Sequence, residues 1–445
     1  MRSSAGTGLV RAIGRWSLAA LTINCIIGSG VFGLPSVIAG TLGKESPYAW
    51  LFAAIATALV MGCFAEVSSR FDQSGGVYLY SRVAFGRTTG IAVAWFGVLG
   101  RLTAVGANAN LFVIYLAEFW PAAKVPAARV LVLTVLFVVL TWVNYVGVRS
   151  GTRLSNLFTA VKLITLGVFV AGGSLLAVTH HQFIRSVPSG PADKWSHPIL
   201  LLMFAYGGYE TALMPGGEAK DPRRDYPFAL FTALLTCTVV YTMTQWIVVS
   251  LVPIKSMTDR PIANAAQAMV GPWGAAVVSV AILAATYGYL GANVLGFPRT
   301  LFALAEQGDV PAVFARVHPR FRTPHIAIVV FSCAALFFSI AGSFGWNLTI
   351  SAISRLIYYG SVCAALPVLR RRLQSPPAVF HLAWGDVVSL FALGVSLLLF
   401  PTLDKSGVLV MIAVVCCIAV HAVWARKAEG KMQADPNRYS QSADF

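Results

Sequence analysis

Two glycine-interrupted stretches contain the residues best suited to bind a small solute. The first reads Ile-Ile-Gly-Ser-Gly-Val-Phe-Gly-Leu-Pro over residues 26–35. The second reads Phe-Ala-Tyr-Gly-Gly-Tyr-Glu over residues 204–210 and continues to Pro215. In each stretch a glycine stands seven positions before a proline, and both stretches lie in long apolar segments. Paired interruptions of this kind are typical of membrane transporters built from inverted repeats.

The chemistry at such breaks comes from backbone groups that lose their helical partners. Lipid cannot satisfy free N–H and C=O groups, so unwound backbone persists only inside protein or beside a water-filled cavity. A helix resuming near Ser29 and Gly30 would offer N–H groups and a positive dipole end to a carboxylate. Carbonyls ending a helix near Tyr206 and Gly207 would suit an ammonium. One cavity between the breaks would therefore fit a zwitterion. Each break taken alone favours close helix packing at glycine, but the two together, at equal spacing and with an acid beside one, favour a broken-helix site.

Other chemistries lack their sequence signals. Residues 28–33 fit G-x-G-x-x-G, but a dinucleotide site needs a preceding strand and an acid about 20 positions later, and residues 46–65 contain no acid. No Walker loop is present, and the seven cysteines form no CxxC pair. We therefore expect no cofactor, no metal and no enzymatic activity.

Apolar helices must position the two breaks. The chain has 57% hydrophobic and 11% charged residues, whereas a soluble domain has about 25% charged residues. A helix needs about 20 apolar residues to cross a bilayer. The sequence therefore predicts an all-α integral membrane protein with twelve transmembrane helices at about 16–39, 47–68, 88–119, 129–148, 153–178, 196–217, 227–252, 272–304, 325–342, 346–369, 384–402 and 406–426.

The charge distribution predicts the orientation of these helices. With twelve spans, roughly two thirds of the 33 Lys and Arg fall on the side of the termini, and cytoplasmic loops carry such an excess. Both termini are therefore expected in the cytoplasm, in a multi-pass protein of the plasma membrane in contact with its lipid. The net charge of +16 is then a topology signal rather than evidence for nucleic acid. The tail, residues 427–445, is expected to be disordered.

At the glycine breaks the sequence resembles the amino acid–polyamine–organocation (APC) superfamily. The match covers nearly the whole chain and continues through residues 218–227, 299–311 and 323–324. The resemblance implies a LeuT-type fold of two five-helix inverted repeats with helices 1 and 6 discontinuous. It divides the chain into a cytoplasmic segment 1–15, repeat 1 at 16–178, repeat 2 at 196–369, two further helices at 384–426 and the tail.

The resemblance also implies an amino acid or amine permease that works by alternating access. It places the substrate carboxylate on Gly28, Ser29 and Gly30, the amine near Tyr206 and Gly207, and a gating aromatic at Phe204. Together with the neighbouring residues and a span 3 arginine, the expected substrate-binding set is Ile27, Gly28, Ser29, Gly30, Phe204, Tyr206, Gly207, Gly208 and Arg101.

Lys162 lies inside the fifth predicted span, where a lysine is costly and usually faces a cavity or a partner. In sodium-coupled LeuT-fold transporters a cation bridges spans 1, 5 and 8 near this place, and members of the resembled family with lysine here do without it. A tethered ammonium could replace that ion against unwound carbonyls of span 1, or it could load and release a proton. A static anchor is the simpler alternative.

The positions of four further charged residues in the predicted spans suggest roles for them. Glu210, beside the second break, could sense protons or could simply lock span 6 to its neighbours. Glu66 is expected at a solvated helix end. Arg101 and Arg355 could each recognise an acidic side chain. For Arg355 we favour pairing with Glu210 or helix-end carbonyls, and for Arg101 both roles stay open; the pair weighs against a cationic substrate.

The predicted function is therefore a secondary amino acid permease, sodium-independent, and either a proton symporter or an exchanger. Asn108 and Asn110 could contact substrate, but we favour hydrogen bonds that join helices. Alternatives are transport of another small amine or organic solute on the same fold, or a channel. The expected partner is a small-molecule amino acid, not nucleic acid, and the protein is expected to be a monomer or a homodimer.

Overall fold

The computed structural model describes residues 14–71, 76–146, 151–179, 194–213, 220–306, 309–372, 377–399 and 405–434. Within these ranges the regular structure is entirely helical. The helices are α1 (Arg15–Ile26), α2 (Ser29–Leu42), α3 (Ser46–Ser68), α4 (Gly76–Phe85), α5 (Arg87–Leu116), α6 (Pro126–Val146), α7 (Gly151–Thr179), α8 (Ser196–Tyr206), α9 (Tyr209–Ala212), α10 (Pro222–Leu251), α11 (Pro261–Val270), α12 (Pro272–Glu306), α13 (His325–Ala341), α14 (Phe344–Arg371), α15 (Gly385–Leu399) and α16 (Lys405–Ala434).

Six segments of the described chain are long and apolar enough to cross a membrane. They are Ser29–Ser68, Arg87–Leu116, Pro126–Val146, Arg223–Leu251, Pro272–Arg299 and Phe344–Arg371. Shorter apolar helices cover Ala160–Leu176, His325–Ala341, Gly385–Leu399 and Gly407–His421. Large apolar side chains such as Leu390 and Leu398 stand exposed on the outside, as expected for a surface solvated by lipid.

The helices follow the predicted spans closely, with local differences. Two short helices, α4 and α11, were not predicted. The last helix continues to Ala434, past Lys427 where the tail was expected to begin, and residues 435–445 lie outside the described chain. Residues 1–13, most of the segment 1–15 that is expected in the cytoplasm, and Pro215 also lie outside it.

The core is built around α5, which packs along α14, and around α10, which packs on both α1 and α3. Small residues allow these helices to approach closely. On α5, for example, a Cβ added to Gly100 would lie 3.3 Å from the Cβ of Ser354 on α14. The polar side chains of the core therefore meet at short distances between these helices.

Both glycine-rich stretches interrupt the helices in which they lie. The first helix ends at Ile26, Gly28 is extended with φ −122° and ψ −151°, and α2 begins at Ser29. The second ends at Tyr206, and Gly208 has φ +111° before α9 begins at Tyr209. A φ of this sign is costly for residues with a side chain, so glycine is required at position 208.

Glu66, predicted at a solvated helix end, is instead fully buried, so that prediction is wrong. Its carboxylate accepts hydrogen bonds from Arg70, at 3.0 Å, and from Arg370, at 2.8 and 2.5 Å. The backbone N–H of Leu382 donates a further bond at 2.9 Å. A buried carboxylate persists only when it is paired and hydrogen-bonded, and the turn before α15 covers this end of α3.

Candidate substrate site

A narrow cavity, here called the central cavity, lies between the two helix breaks. Its volume is about 10 Å³, which is room for roughly one water molecule. It is lined by Cys25, Ile26, Gly28, Ser29, Gly30, Asn108, Phe204, Ala205, Gly207, Tyr289 and Arg355. The N-terminus of α2 and the C-terminus of α8 therefore face the same space.

Two buried polar atoms at this cavity, the Oγ of Ser29 and the Oδ1 of Asn108, have no hydrogen-bond partner within the described part of the chain. Asn108 uses its Nδ2 to donate to the carbonyl of Ala104 on its own helix, at 2.8 Å. Unsatisfied buried polar atoms are uncommon and call for a partner that is missing from the protein itself. Ser29 offers a donor and an acceptor, and Asn108 offers an acceptor.

The two asparagines of α5 therefore differ in role. Asn110 donates to the carbonyls of Ser339 and Gly342 and accepts from Arg129, so it joins helices as predicted. Among the described contacts Asn108 has no bond to another helix, and the same prediction is wrong for it. The two side chains point in different directions, because residues two positions apart on an α-helix are rotated by about 200° around its axis.

Arg355 of α14 reaches into the central cavity from the side of α8. Its Nη1 donates to the carbonyl oxygen of Phe204 at 3.1 Å, and its guanidinium lies 4.9 Å from the centre of the Phe204 ring. A Cβ built on Gly207 would overlap the same Nη1. Pairing with a helix-end carbonyl, which we favoured for Arg355, is therefore what the structure contains. The guanidinium occupies the place where the substrate amine was expected.

A second cavity of about 100 Å³, here called the side cavity, adjoins the first. It shares Cys25 and Tyr289 with the central cavity. The remaining lining residues are Asn24, Arg101, Phe158, Lys162, Thr211, Ala285, Gly288, Ala292 and Asn293.

Lys162 extends from α7 to the end of α1. Its Nζ donates to the carbonyl oxygens of Asn24, at 2.7 Å, and Ile27, at 2.8 Å. The neighbouring carbonyl of Ile26 lies 3.1 Å from the hydroxyl of Tyr241. The carbonyls freed where α1 stops are thus satisfied by side chains of other helices, as buried backbone requires.

Arg101 of α5 points into the side cavity. It donates to the Oδ1 of Asn293 at 3.1 Å and to the hydroxyl of Thr211. Its Nη2 is 3.9 Å from the Oε1 of Glu210. The arginine thus joins α5, α9 and α12 beside the side cavity.

Glu210 stands at the start of α9, where its carboxylate faces the positive end of that short helix. Its Oε2 accepts from the N–H of Gly208 at 2.8 Å and from the hydroxyl of Tyr359 at 2.7 Å. Arg101 lies near its other oxygen. These contacts join α9 to α5 and α14 beside the second break, and both roles considered for Glu210 stay predictions.

Of the nine predicted substrate residues, six line one of the two cavities. Gly28, Ser29, Gly30, Phe204 and Gly207 line the central cavity, and Arg101 lines the side cavity. Among the described residues neither lining includes Ile27, Tyr206 or Gly208. Ile27 contributes its carbonyl to Lys162, and Gly208 carries the backbone turn.

The substrate amine is expected near the backbone carbonyls at Tyr206 and Gly207, and the side chain of Tyr206 points away from the central cavity. Its hydroxyl donates to the carbonyl of Trp50 at 3.2 Å, and its ring packs against Tyr241 with centroids 5.3 Å apart. Phe204 and Gly207 are nearly one turn apart and face the cavity, whereas Tyr206 points into the packing of α3 and α10. The backbones of α2 and α8 approach closely at Gly30 and Ala205. A Cβ added to Gly30 would lie 2.5 Å from the Cβ of Ala205, so a side chain does not fit at position 30.

Sequence reasoning missed several residues of this site. Tyr289 and Asn293 of α12 line it, Tyr359 of α14 holds Glu210, and Tyr241 reaches both helix ends. The spacing of Tyr289 and Asn293, four residues apart on one face of an apolar helix, was the available signal.

Comparison with known proteins identifies a family, relatives and a similar fold. The family model described as amino acid permease matches residues 13–426. The serine/threonine exchanger SteT of Bacillus subtilis is 29% identical, over 82% of this chain and 85% of that protein. The branched-chain amino acid permease BcaP of the same organism is 24% identical, over 85% of each chain. The fold is similar to that of Mhp1, a nucleobase-cation-symport-1 family transporter solved in a closed conformation with bromovinylhydantoin bound, with a TM-score of 0.56, 17% identity and 96% of each chain covered.

Proposed function

The chain belongs to the amino acid permease family within the APC superfamily, and from this we propose that it moves an amino acid across a membrane by secondary active transport through the central cavity. Members of the family are transporters, so the chain is a multi-pass membrane permease and not an enzyme. The observation that carries the substrate site is the pairing of the α2 N-terminus with the α8 C-terminus around one buried space.

We propose that α1 with α2, and α8 with α9, are discontinuous membrane helices 1 and 6 of a twelve-helix, five-plus-five LeuT-type arrangement. The bounds of these four helices support that assignment. The substrate carboxylate would lie at Ser29 and Gly30, where N–H groups and the α2 dipole favour negative charge. The unpartnered Oγ of Ser29 would complete this seat.

Sodium independence is supported by Lys162. Its ammonium already takes the carbonyls of Asn24 and Ile27, which are oxygen ligands of the kind that a bound cation would need. A sodium ion at the same carbonyls would meet a like charge at close range. Proton symport and exchange are both compatible with this arrangement.

We infer alternating access from the volumes of the two cavities. At about 10 Å³ the central cavity is too small for an amino acid, so loading requires α1 and α9 to move relative to α5 and α12. The side cavity is larger and adjoins it. We propose that it is the route to the cytoplasm, with both termini on that side of the plasma membrane as the distribution of Lys and Arg indicates. A monomer or a homodimer would suffice.

Counterflow in proteoliposomes tests this proposal. Full-length protein is reconstituted, the vesicles are loaded with unlabelled amino acid, and uptake of the same labelled amino acid is followed in sodium-free and in sodium buffer. Saturable counterflow of equal rate in both is expected, and a dependence on an imposed pH gradient would separate symport from exchange. Unitary currents would instead indicate a channel, and uptake confined to nucleobases or sugars would overturn the zwitterion assignment.

A further inference from the structure

The two cavities carry more positive charge than their surroundings neutralise. Three buried or nearly buried cations, Lys162, Arg101 and Arg355, line them. Among the described residues no Asp or Glu lines either cavity, and Glu210 is the carboxylate beside them, 3.9 Å from Arg101. With all four groups ionised, two positive charges remain without a counter-charge.

Helix termini do not remove this surplus. The carbonyl ends of α1 and α8 face Lys162 and Arg355, and each contributes about half a negative charge. The N-terminus of α2 faces the same region and contributes about half a positive charge, whereas α9, with four residues, is too short to add a helix dipole. The three termini together leave about half a negative charge, which is less than the surplus of two positive charges. Uncompensated charge inside a membrane protein is costly unless a partner of opposite sign is supplied.

From this surplus and from the position of Arg355, we infer that the substrate is an acidic amino acid whose side-chain carboxylate pairs with Arg355. The inference rests on the proposed function and specifies its substrate class. A zwitterion would leave the charge of the site unchanged, a basic amino acid would increase it, and an acidic one reduces it.

The polar groups of the central cavity fit the three charged groups of such a substrate. Ser29, with the N–H groups at the start of α2, receives the α-carboxylate. The guanidinium of Arg355 already occupies the carbonyl end of α8, so the substrate ammonium needs another acceptor. Asn108 offers one, its unpartnered Oδ1. Arg355 presents the planar fork that suits bidentate carboxylate pairing, and its described hydrogen bond uses Nη1 alone.

Arg101 has a different proposed role from Arg355. Its guanidinium lines the side cavity and is engaged by Asn293 and Thr211. It adds to the positive field on the path to the central cavity without facing the seat itself. Arg355 is therefore the specificity-determining residue, and Arg101 favours entry of anions.

Acid and amide pairs provide the test, because aspartate and asparagine, or glutamate and glutamine, differ little except in charge. The full chain in proteoliposomes is assayed for competition by these four amino acids and by lysine against labelled glutamate or aspartate uptake, and for direct binding by scintillation proximity. We expect each acid to compete at least about tenfold better than its amide, since a charge-assisted hydrogen bond is lost in the amide, and lysine to compete least.

Two variants assign the preference to Arg355. In Arg355→Gln the ratio of acid to amide should fall to about one, and in Arg355→Lys it should be intermediate, because the point charge remains while the fork is lost. Arg224→Gln, at an exposed arginine on α10, is the control and should keep the ratio.

The wild-type ratio alone decides the inference if the variants fail to fold. Equal or better competition by amides, with transport intact, would overturn the acidic substrate and leave the amino acid permease in place. A preference for acids that survives in a folded Arg355→Gln would overturn the assignment to Arg355. Absence of transport of any amino acid would instead remove the proposed function, and this inference with it.

Discussion

The ammonium of Lys162 lies 2.8 Å from the carbonyl oxygen of Ile27, one residue beyond the end of α1. It lies equally close, at 2.7 Å, to the carbonyl of Asn24. A lysine of one helix thus satisfies the backbone that another helix leaves unpaired. Any motion that re-aims the end of α1 must stretch or break these two bonds, so the lysine couples the position of α1 to that of α7.

Replacement of Lys162 by methionine should abolish or uncouple uptake. The change keeps a long side chain but leaves two buried carbonyls without a donor, at about 1–3 kcal/mol for each. Uptake into proteoliposomes and the melting temperature in detergent should both fall. Lys44→Met, at an exposed lysine, is the matched control; wild-type uptake and pH dependence in Lys162→Met would disprove the assignment.

Removal of the Ser29 hydroxyl should weaken substrate binding by about ten- to a hundredfold, because a hydrogen bond to a charged group contributes about 1.5–3 kcal/mol. The melting temperature of the empty protein should change little in Ser29→Ala, since the hydroxyl has no partner there. Ser279→Ala removes another buried, unpartnered hydroxyl on α12, away from both cavity linings, and should leave the dissociation constant unchanged. Equal affinities in the two variants would argue against the carboxylate seat.

A methyl group on Gly207 should disturb the site through Arg355. The new Cβ would occupy the position of the Arg355 Nη1, and overpacking of this kind costs about 1–3 kcal/mol. Gly207→Ala should therefore lose most uptake while the protein still folds. Gly296→Ala serves as comparison, because nothing lies within 4 Å of its Cβ position; similar uptake in both variants would show that the Arg355 contact is dispensable.

The buried ion cluster of Glu66 should matter for stability rather than for substrate choice. Glu66→Gln removes the negative charge that faces Arg70, which has 7% side-chain exposure, and breaking a buried ion pair costs about 3–5 kcal/mol. Because Arg370 is 24% exposed, the lower end is expected. Thermal unfolding should report this loss, whereas Asp386→Asn, at an exposed and more distant partner of Arg370, should change it little. An unchanged melting temperature in Glu66→Gln would contradict the role of this cluster.

The sequence by itself determined what depends on local chemistry. Apolar length predicts membrane helices because lipid admits few other structures, and the turn at Gly208 follows from the freedom of glycine to adopt a positive φ. Lys162 stood out because a charge within an apolar segment needs a partner.

Only the tertiary structure decided which partner each polar group finds. The burial of Glu66, the turn of Tyr206 away from the cavity and the seat of Arg355 on the end of α8 all depend on how helices distant in sequence are rotated and spaced. Asn108 and Asn110 make the same point, since the first lines the central cavity while the second, two positions along the same helix, contacts α13 and α6. A shift of one residue turns a side chain by about 100°, and hydropathy does not record that angle when most faces of a helix are apolar.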